Sequence, residues 1–295
     1  MTDAKVEVPA FEERFAELRG ARVRYLVAGE GDPLVLLHGL AGAAANWRAL
    51  APLLLPGRRV LVPELPGHGG SSPLPAAPSL NAYADRLAEL IEGETGPAPV
   101  VGHSLGGAIV LRLAIRHPEL VTAIVLAGAA GISSGTRRAR YGLAVTGLVK
   151  PGKRVAPYRR LVSRSGLLKT LVFGRWGASD PPALAPEVAE SFLSGPALHT
   201  DTVSAAKALI REDPRADLDR VRCPVLLLWG ARDNQLPVGD AFEYARRLRA
   251  PLRVIADCGH LLIGERPDAC ADAIGSFLIG DGKEGHVGEP GFPHA

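Results

Sequence analysis

The stretch Ala98-Pro99-Val100-Val101-Gly102-His103-Ser104-Leu105-Gly106-Gly107-Ala108 decides the fold. Its apolar opening, Ala98 to Val101, reads as a buried strand. Beyond Gly106 the apolar residues Ile109, Leu111, Leu113, Ala114 and Ile115 recur with helical spacing until His117-Pro118 closes the run. Gly102 to Gly106 therefore sits where a strand gives way to a helix. A serine at that point is forced onto a sharp turn, and glycine on both sides relieves the clash that side chains would make. The Ser104 hydroxyl is held out at the strand end. The plain alternative is a tight turn with an idle serine, and the rest of the chain has to decide between the two.

Working outward, short apolar strands alternate with helical patterns. A strand pair at Phe15 to Leu18 and Val23 to Val27 has alternating polarity and reads as an antiparallel edge. It is followed by strand Leu34 to Leu37, helix Asn46 to Leu55, strand Val60 to Val62 and helix Leu80 to Glu92. After the serine motif comes strand Ala123 to Leu126. The pattern resumes with strand Pro224 to Trp229, helix Val238 to Arg249, strand Leu252 to Ile255 and a closing helix from Pro267 to Leu278, with Pro267 at a first helical position. Continuous apolar strands separated by helices are what a mostly parallel sheet covered on both faces requires. The expected fold is an α/β sandwich formed by residues 1–130 and 214–279. Residues 131–213 carry helical patterns and Pro-containing joints without a strand, so they read as a helical lid inserted after the sixth strand. Residues 280–295, rich in Gly, Pro and charge, read as a disordered tail, which removes His286 and His294 from catalysis.

Composition narrows the function. The 295 residues are 47% hydrophobic, enough for a sizeable core, and the net charge of +3 is too small to suggest a nucleic-acid binder. The three cysteines, Cys223, Cys258 and Cys270, lack C-x-x-C spacing and fit a reducing compartment. Met1 to Arg14 lacks the apolar core of a signal peptide, and no apolar run approaches the roughly 20 residues that cross a bilayer. A cytoplasmic protein is expected. Neither G-x-x-x-x-G-K-[ST] nor a suitably placed G-x-G-x-x-G occurs, so the many glycines do not indicate a nucleotide site.

A serine hydroxyl is a poor nucleophile until a base takes its proton, and the base must itself be oriented. Its partners should lie at other strand ends on the same edge of the sheet. Asp233 follows strand Val225 to Trp229 through Gly230-Ala231-Arg232, and His260 follows Leu252 to Ile255 through Asp257-Cys258-Gly259. The order Ser, Asp, His is the one expected for a serine on this kind of turn. Asp240, the local competitor of Asp233, falls inside the next helix. His38 and His103 adjoin turns, His117 ends a helix, and His68 and His199 are further rivals, but only His260 follows the last strand. An oxyanion hole needs two N–H groups. The N–H of Leu105 directly follows the nucleophile, and Leu40 in the loop His38-Gly39-Leu40-Ala41-Gly42 is assigned the second.

Together His38-Gly39, Pro66-Gly67-His68-Gly69, Gly102 to Gly106, Gly230 to Asp233, Gly259-His260 and Glu265-Arg266-Pro267 resemble the α/β-hydrolase fold family, in its lid-bearing serine hydrolase branch. The resemblance spans roughly Phe15 to Leu278. It implies acyl transfer through an acyl-enzyme, with no cofactor and no metal. Where the family usually carries Asp before Pro66-Gly67 this chain has Glu64, which puts a loop contact in question. Ser104 in place of an aspartate separates the chain from the haloalkane dehalogenases and epoxide hydrolases of the fold.

From Gly131 to Ser179 there are eleven Arg and Lys and no Asp or Glu, leaving −8 for the remainder of the chain. Along Tyr158 to Phe173, Leu161, Val162, Leu168, Leu171 and Val172 can share one face, with Arg159, Arg160, Arg164 and Lys169 on the other. Such a lid suits an anionic lipid surface or an acidic substrate, or is simply a solvated helix whose apolar face covers the site. Trp47 and Trp176 are pocket walls or core, and the scarcity of aromatics favours an aliphatic acyl pocket. The expected activity is hydrolysis of small or medium lipophilic carboxylic esters. A lipase, a thioesterase, a carbon-carbon bond hydrolase, or a ligand receptor with slow hydrolysis would use the same residues. Oligomeric state has no signature here.

Overall fold

A computed structural model describes residues 10–75, 78–134, 151–174 and 177–280. Eight strands form one sheet: β1 (Glu12–Leu18), β2 (Ala21–Ala28), β3 (Asp32–Leu37), β4 (Arg58–Pro63), β5 (Ala98–His103), β6 (Val121–Ala127), β7 (Val225–Gly230) and β8 (Leu252–Ile255). Their spatial order is β1-β2-β4-β3-β5-β6-β7-β8. β2 pairs antiparallel with both β1 and β4, and every other pairing is parallel. The β1–β2 link is Arg19-Gly20, both at positive φ, which matches the right-handed twist of a two-residue hairpin.

Two apolar layers flank the sheet. In β3, Val35 and Leu37 enter one layer and Leu34 and Leu36 the other, and Leu227 and Leu228 of β7 divide likewise. Successive side chains of a strand point to opposite faces, so a strand covered on both has no polar positions to alternate. The first layer is closed by α2 (Leu80–Glu94), α3 (Leu105–Arg116) and α9 (Val238–Leu248). The second is closed by α1 (Ala51–Leu54), α10 (Leu262–Glu265) and α11 (Pro267–Gly280). The fold is the expected mostly parallel sandwich.

Two expectations change. Residues 46–55 are not one helix but a 3-10 turn, Ala44–Trp47, followed by the short α1. Pro52 has no N–H to return to Arg48, which removes the bond a continuous helix would need there. The other change concerns residues between β6 and β7, where the described part holds α4 (Pro151–Val155), α5 (Arg159–Arg164), α6 (Gly166–Phe173), α7 (Pro186–Ser194) and α8 (Thr202–Arg211), and no strand. Tyr158 to Phe173 does not keep one helical face, because Ser165 is extended (φ −110°, ψ 118°) and separates α5 from α6. Leu161 and Leu171 are exposed as a result, while Lys169 is buried with Nζ donating to the carbonyls of Pro182 and Leu184, each at 2.6 Å. Arg137, Arg138, Arg140, Lys150, Arg175, Trp176 and the tail from 281 lie outside the described residues.

The insertion docks on loops at the carboxyl ends of three strands. Asn46 Nδ2, after β3, donates to the Ser191 carbonyl at 3.2 Å. The Gly67 carbonyl, after β4, accepts from the N–H groups of Thr200 (3.1 Å) and Asp201 (2.9 Å). Beyond β8, the Gly177 carbonyl accepts the His260 N–H at 2.8 Å. Among the described residues no helix is long and apolar enough to cross a membrane.

Candidate active site

Ser104 joins β5 to α3 at φ 55°, ψ −118°, a conformation in which its Cβ costs energy and its side chain stands off the sheet edge. The flanking glycines serve close packing here. A Cβ on Gly102 would lie 2.6 Å from the Gly106 carbonyl group, and one on Gly106 would lie 2.4 Å from the Leu37 oxygen. Neither backbone can yield, so the helix start can press against β3 only without these side chains. The Ser104 carbonyl also accepts the Ala130 N–H at 3.0 Å, tying the elbow to the end of β6.

The structure brings Ser104, His260 and Asp233 together. His260 Nε2 is 3.0 Å from Ser104 Oγ, and His260 Nδ1 is 2.8 Å from Asp233 Oδ2. Asp233 and His260 are buried, and Ser104 is half-buried. The second Asp233 oxygen accepts the N–H groups of Gln235 and Leu236, each at 2.8 Å, so the carboxylate presents one fixed edge to the imidazole. With Asp233 accepting at Nδ1, that nitrogen carries the ring proton and Nε2 is left as the base facing the serine.

Leu105 is the first residue of α3, where a helix has no internal acceptor for the N–H. The Leu40 loop lies against the same turn, since a Cβ on Gly39 would sit 2.9 Å from the Ser104 Cβ. The Gly39 carbonyl accepts from His38 Nδ1 at 2.8 Å and from the Gly42 N–H at 3.0 Å. In a trans peptide the following N–H points the opposite way, so these two bonds turn the Leu40 N–H away from them.

The rival residues have other partners. Asp240 Oδ2 accepts from the Ser133 N–H and hydroxyl, at 3.1 and 2.7 Å. His117 faces Asp85 at 2.9 Å, and His103 Nε2 donates to the His260 carbonyl at 2.9 Å. Burial pushes His103 down to about 3 and His38 to about 4, so both stay neutral near pH 7. His38, His68 and His199 form a run of rings with centroids 5.4 and 5.2 Å apart. His199 Nδ1 accepts the Gly69 N–H at 3.0 Å, leaving Nε2–H to donate to the Ala41 carbonyl at 2.8 Å. Trp47 is core, packed in the second layer.

Several residues outside the predicted site hold this arrangement. Trp229 Nε1 donates to the Leu236 carbonyl at 3.0 Å, bracing the loop that holds Asp233. Tyr244 donates its hydroxyl to the Ala130 carbonyl at 2.9 Å. The Glu265 oxygens accept the N–H groups of Gly259 at 3.0 Å and Ser179 at 2.7 Å, stapling the His260 loop to the insertion. Glu64, in place of the usual Asp, is buried and accepts from the N–H groups of Ala44 (3.0 Å) and Gly70 (2.7 Å) and from Arg24 Nη1 (2.9 Å). The loop contact in question is made by the longer side chain.

A serine on a strained turn after the fifth strand, with an aspartate after the seventh and a histidine after the eighth, is now joined by a sequence match to the alpha/beta hydrolase family over residues 34–273. The chain belongs to that family. It is 32% identical over 270 residues to 2-hydroxymuconate semialdehyde hydrolase of Pseudomonas sp. strain CF600, covering 88% of this chain and 91% of the relative. It is 34% identical over 260 residues to pimeloyl-[acyl-carrier protein] methyl ester esterase of Aromatoleum aromaticum strain DSM 19018 / LMG 30748 / EbN1, covering 84% and 98%. Among solved structures it is similar to a thermophilic esterase from Thermogutta terrifontis, with TM-score 0.70, 25% identity, and coverage of 91% and 98%. These relatives support a hydrolase.

Proposed function

We propose that this alpha/beta hydrolase cleaves carboxylic esters of small or medium lipophilic substrates through an acyl-enzyme. The observation that carries the reading is the unbroken line from Asp233 Oδ2 through the His260 ring to Ser104 Oγ, at 2.8 and 3.0 Å. As Ser104 Oγ attacks the ester carbonyl, its proton passes to His260 Nε2, and Asp233 stabilises the imidazolium through Nδ1. The N–H groups of Leu40 and Leu105 receive the charge that forms on the carbonyl oxygen. His260 then protonates the departing alcohol. Water, deprotonated by the same nitrogen, releases the acid and restores Ser104. The helical insertion serves as a lid, and its apolar cluster, which includes Phe173, Leu184 and Val188, packs against Leu261 beside His260.

The second reading, cleavage of a carbon-carbon bond, has the likeness to 2-hydroxymuconate semialdehyde hydrolase in its favour. It would employ the same three side chains, with His260 delivering the proton to carbon instead of oxygen. The test is a panel of p-nitrophenyl esters graded by acyl length, run beside 2-hydroxymuconate semialdehyde, with Ser104→Ala as the blank. Multiple turnover of the esters that falls by at least ~10³-fold in Ser104→Ala is the expected result. Turnover of the semialdehyde with inert esters would transfer the assignment to carbon-carbon cleavage, and undiminished ester turnover in Ser104→Ala would remove Ser104 from the chemistry.

A further inference from the structure

The outer face of the helical insertion combines exposed apolar side chains with cations. Tyr158, Leu161, Leu167 and Leu171 are 63%, 61%, 71% and 73% exposed, although each stands on a helix or turn whose other side is packed. Val162 and Phe173 supply that packing, entering the cluster with Val188 and Leu193 on α7. The exposed leucines are thus the outward residues of an anchored layer. Soluble proteins scatter single apolar residues over their surface, but Leu167 and Leu171 stand one turn apart on α6, with Leu161 exposed on α5 and Tyr158 just before it, a density of exposed apolar side chains that calls for a partner.

Charge indicates which partner. Arg160 and Arg164 are exposed on the same helix as Leu161, and Lys153 and Arg154 are exposed on the helix before it. Glu190 of α7 reaches this surface, its Oε1 lying 3.5 Å from Arg159 Nε and 3.7 Å from Arg160 Nε. Contacts of that length on an exposed surface neutralise little. Between Gly131 and Ser179 the sequence contains no Asp or Glu at all. A second copy that presented this same surface would bring the same positive sign to the contact, which disfavours symmetric self-association through it. A surface that accepts leucines and tyrosine into an apolar medium while surrounding arginine and lysine with negative charge is the headgroup region of an anionic bilayer.

We propose that the Tyr158–Leu171 face of the insertion docks on anionic lipid membranes, with Leu161, Leu167 and Leu171 entering the acyl boundary and Lys153, Arg154, Arg160 and Arg164 among the headgroups. Docking uses none of the residues placed in the catalytic line. It also holds whether the site cleaves esters or carbon-carbon bonds.

The experiment is co-sedimentation of the full chain, carrying Ser104→Ala so that no lipid is consumed, with vesicles of phosphatidylcholine alone or with about a third phosphatidylglycerol. Three surfaces are compared: the unaltered face, Arg160→Glu/Arg164→Glu, and Leu161→Ser/Leu167→Ser/Leu171→Ser. The unaltered face should partition at least ~10-fold more onto the anionic vesicles at low salt, and much less in high salt. The charge-reversed face should lose the preference, and the serine face should lose most of the binding. The same surface variants on the Ser104 background should keep far-UV circular dichroism and turnover of a short soluble ester. Equal partition onto both vesicle types, or binding untouched by either set of substitutions, overturns the proposal. So does failure to bind vesicles while a purified acidic acyl carrier protein is retained through Arg160 and Arg164.

Discussion

Removing the His199 imidazole tests whether the insertion holds the Leu40 loop in the geometry that the proposed oxyanion role requires. The ring is 7% exposed and joins three segments, accepting from the Gly69 N–H at 3.0 Å and donating to the Ala41 carbonyl at 2.8 Å. His199→Ala leaves that N–H and that carbonyl without partners, at about 1 to 3 kcal/mol each if the space stays dry, so a loss of stability of ~2 to 6 kcal/mol is expected. Ala41 is also held at φ 56°, where a non-glycine residue carries roughly 1 kcal/mol of strain. Once released, the loop should relax and the Leu40 N–H should lose its aim. A removed oxyanion donor costs ~10² to 10³ in kcat, so a misdirected one should cost about 10- to 100-fold, with KM nearly unchanged. The affinity of a trifluoromethyl ketone that forms a tetrahedral adduct should fall in parallel with kcat, which a purely structural defect in a folded variant would not require. His199→Gln, which can still donate to Ala41, should recover part of the rate. A well-folded His199→Ala with kcat/KM within twofold of the unaltered protein would refute the reasoning.

Glu265→Ala strips two backbone donors, Gly259 N–H and Ser179 N–H, of a shared acceptor, and should lower stability by about 2 to 5 kcal/mol, read as the urea midpoint; a shift under 0.5 kcal/mol would show that Glu265 is no staple. Acid should destabilise the fold well before its carboxylates titrate. His38 and His103 have folded values of about 4 and about 3, lowered by burial, against an ordinary 6.5. The unfolded chain therefore binds more protons in that window. The stability these groups contribute is complete above about pH 6.5 and is lost as pH falls toward their folded values. Between pH 7.5 and 4.5 each should remove about 2 kcal/mol, and equal urea midpoints at the two pH values would contradict this.

What could be read from the sequence was what is local. The β5-turn-α3 unit announces itself because apolar runs, glycines and the serine adjoin one another, and strand order then selects Asp233 over Asp240 and His260 over five other histidines. Helix limits were legible where a proline or polar run marks them and blurred at Asn46 to Leu55, where Pro52 acts inside the apparent run. The bonding roles of His199, Glu265 and Trp229 are not legible in the sequence, since each works through a bond to a backbone group whose position only the folded chain defines. His199 and Gly69 are 130 residues apart. The single face expected along Tyr158 to Phe173 differs for a related reason: a helical wheel assumes one axis, and Ser165 divides that stretch between two.

The bond from the His260 N–H to the Gly177 carbonyl bears on how such enzymes can diversify. The inserted segment forms part of the frame on which His260 is mounted, since Gly177 and Ser179 are both tied to the 257–265 loop. A graft of a foreign insertion would have to reproduce that seam to keep His260 in register with Ser104. Drift in the outward leucines and arginines is free of this requirement, so new surfaces can be tried on the lid's exterior while the splice at residues 177–179 stays fixed.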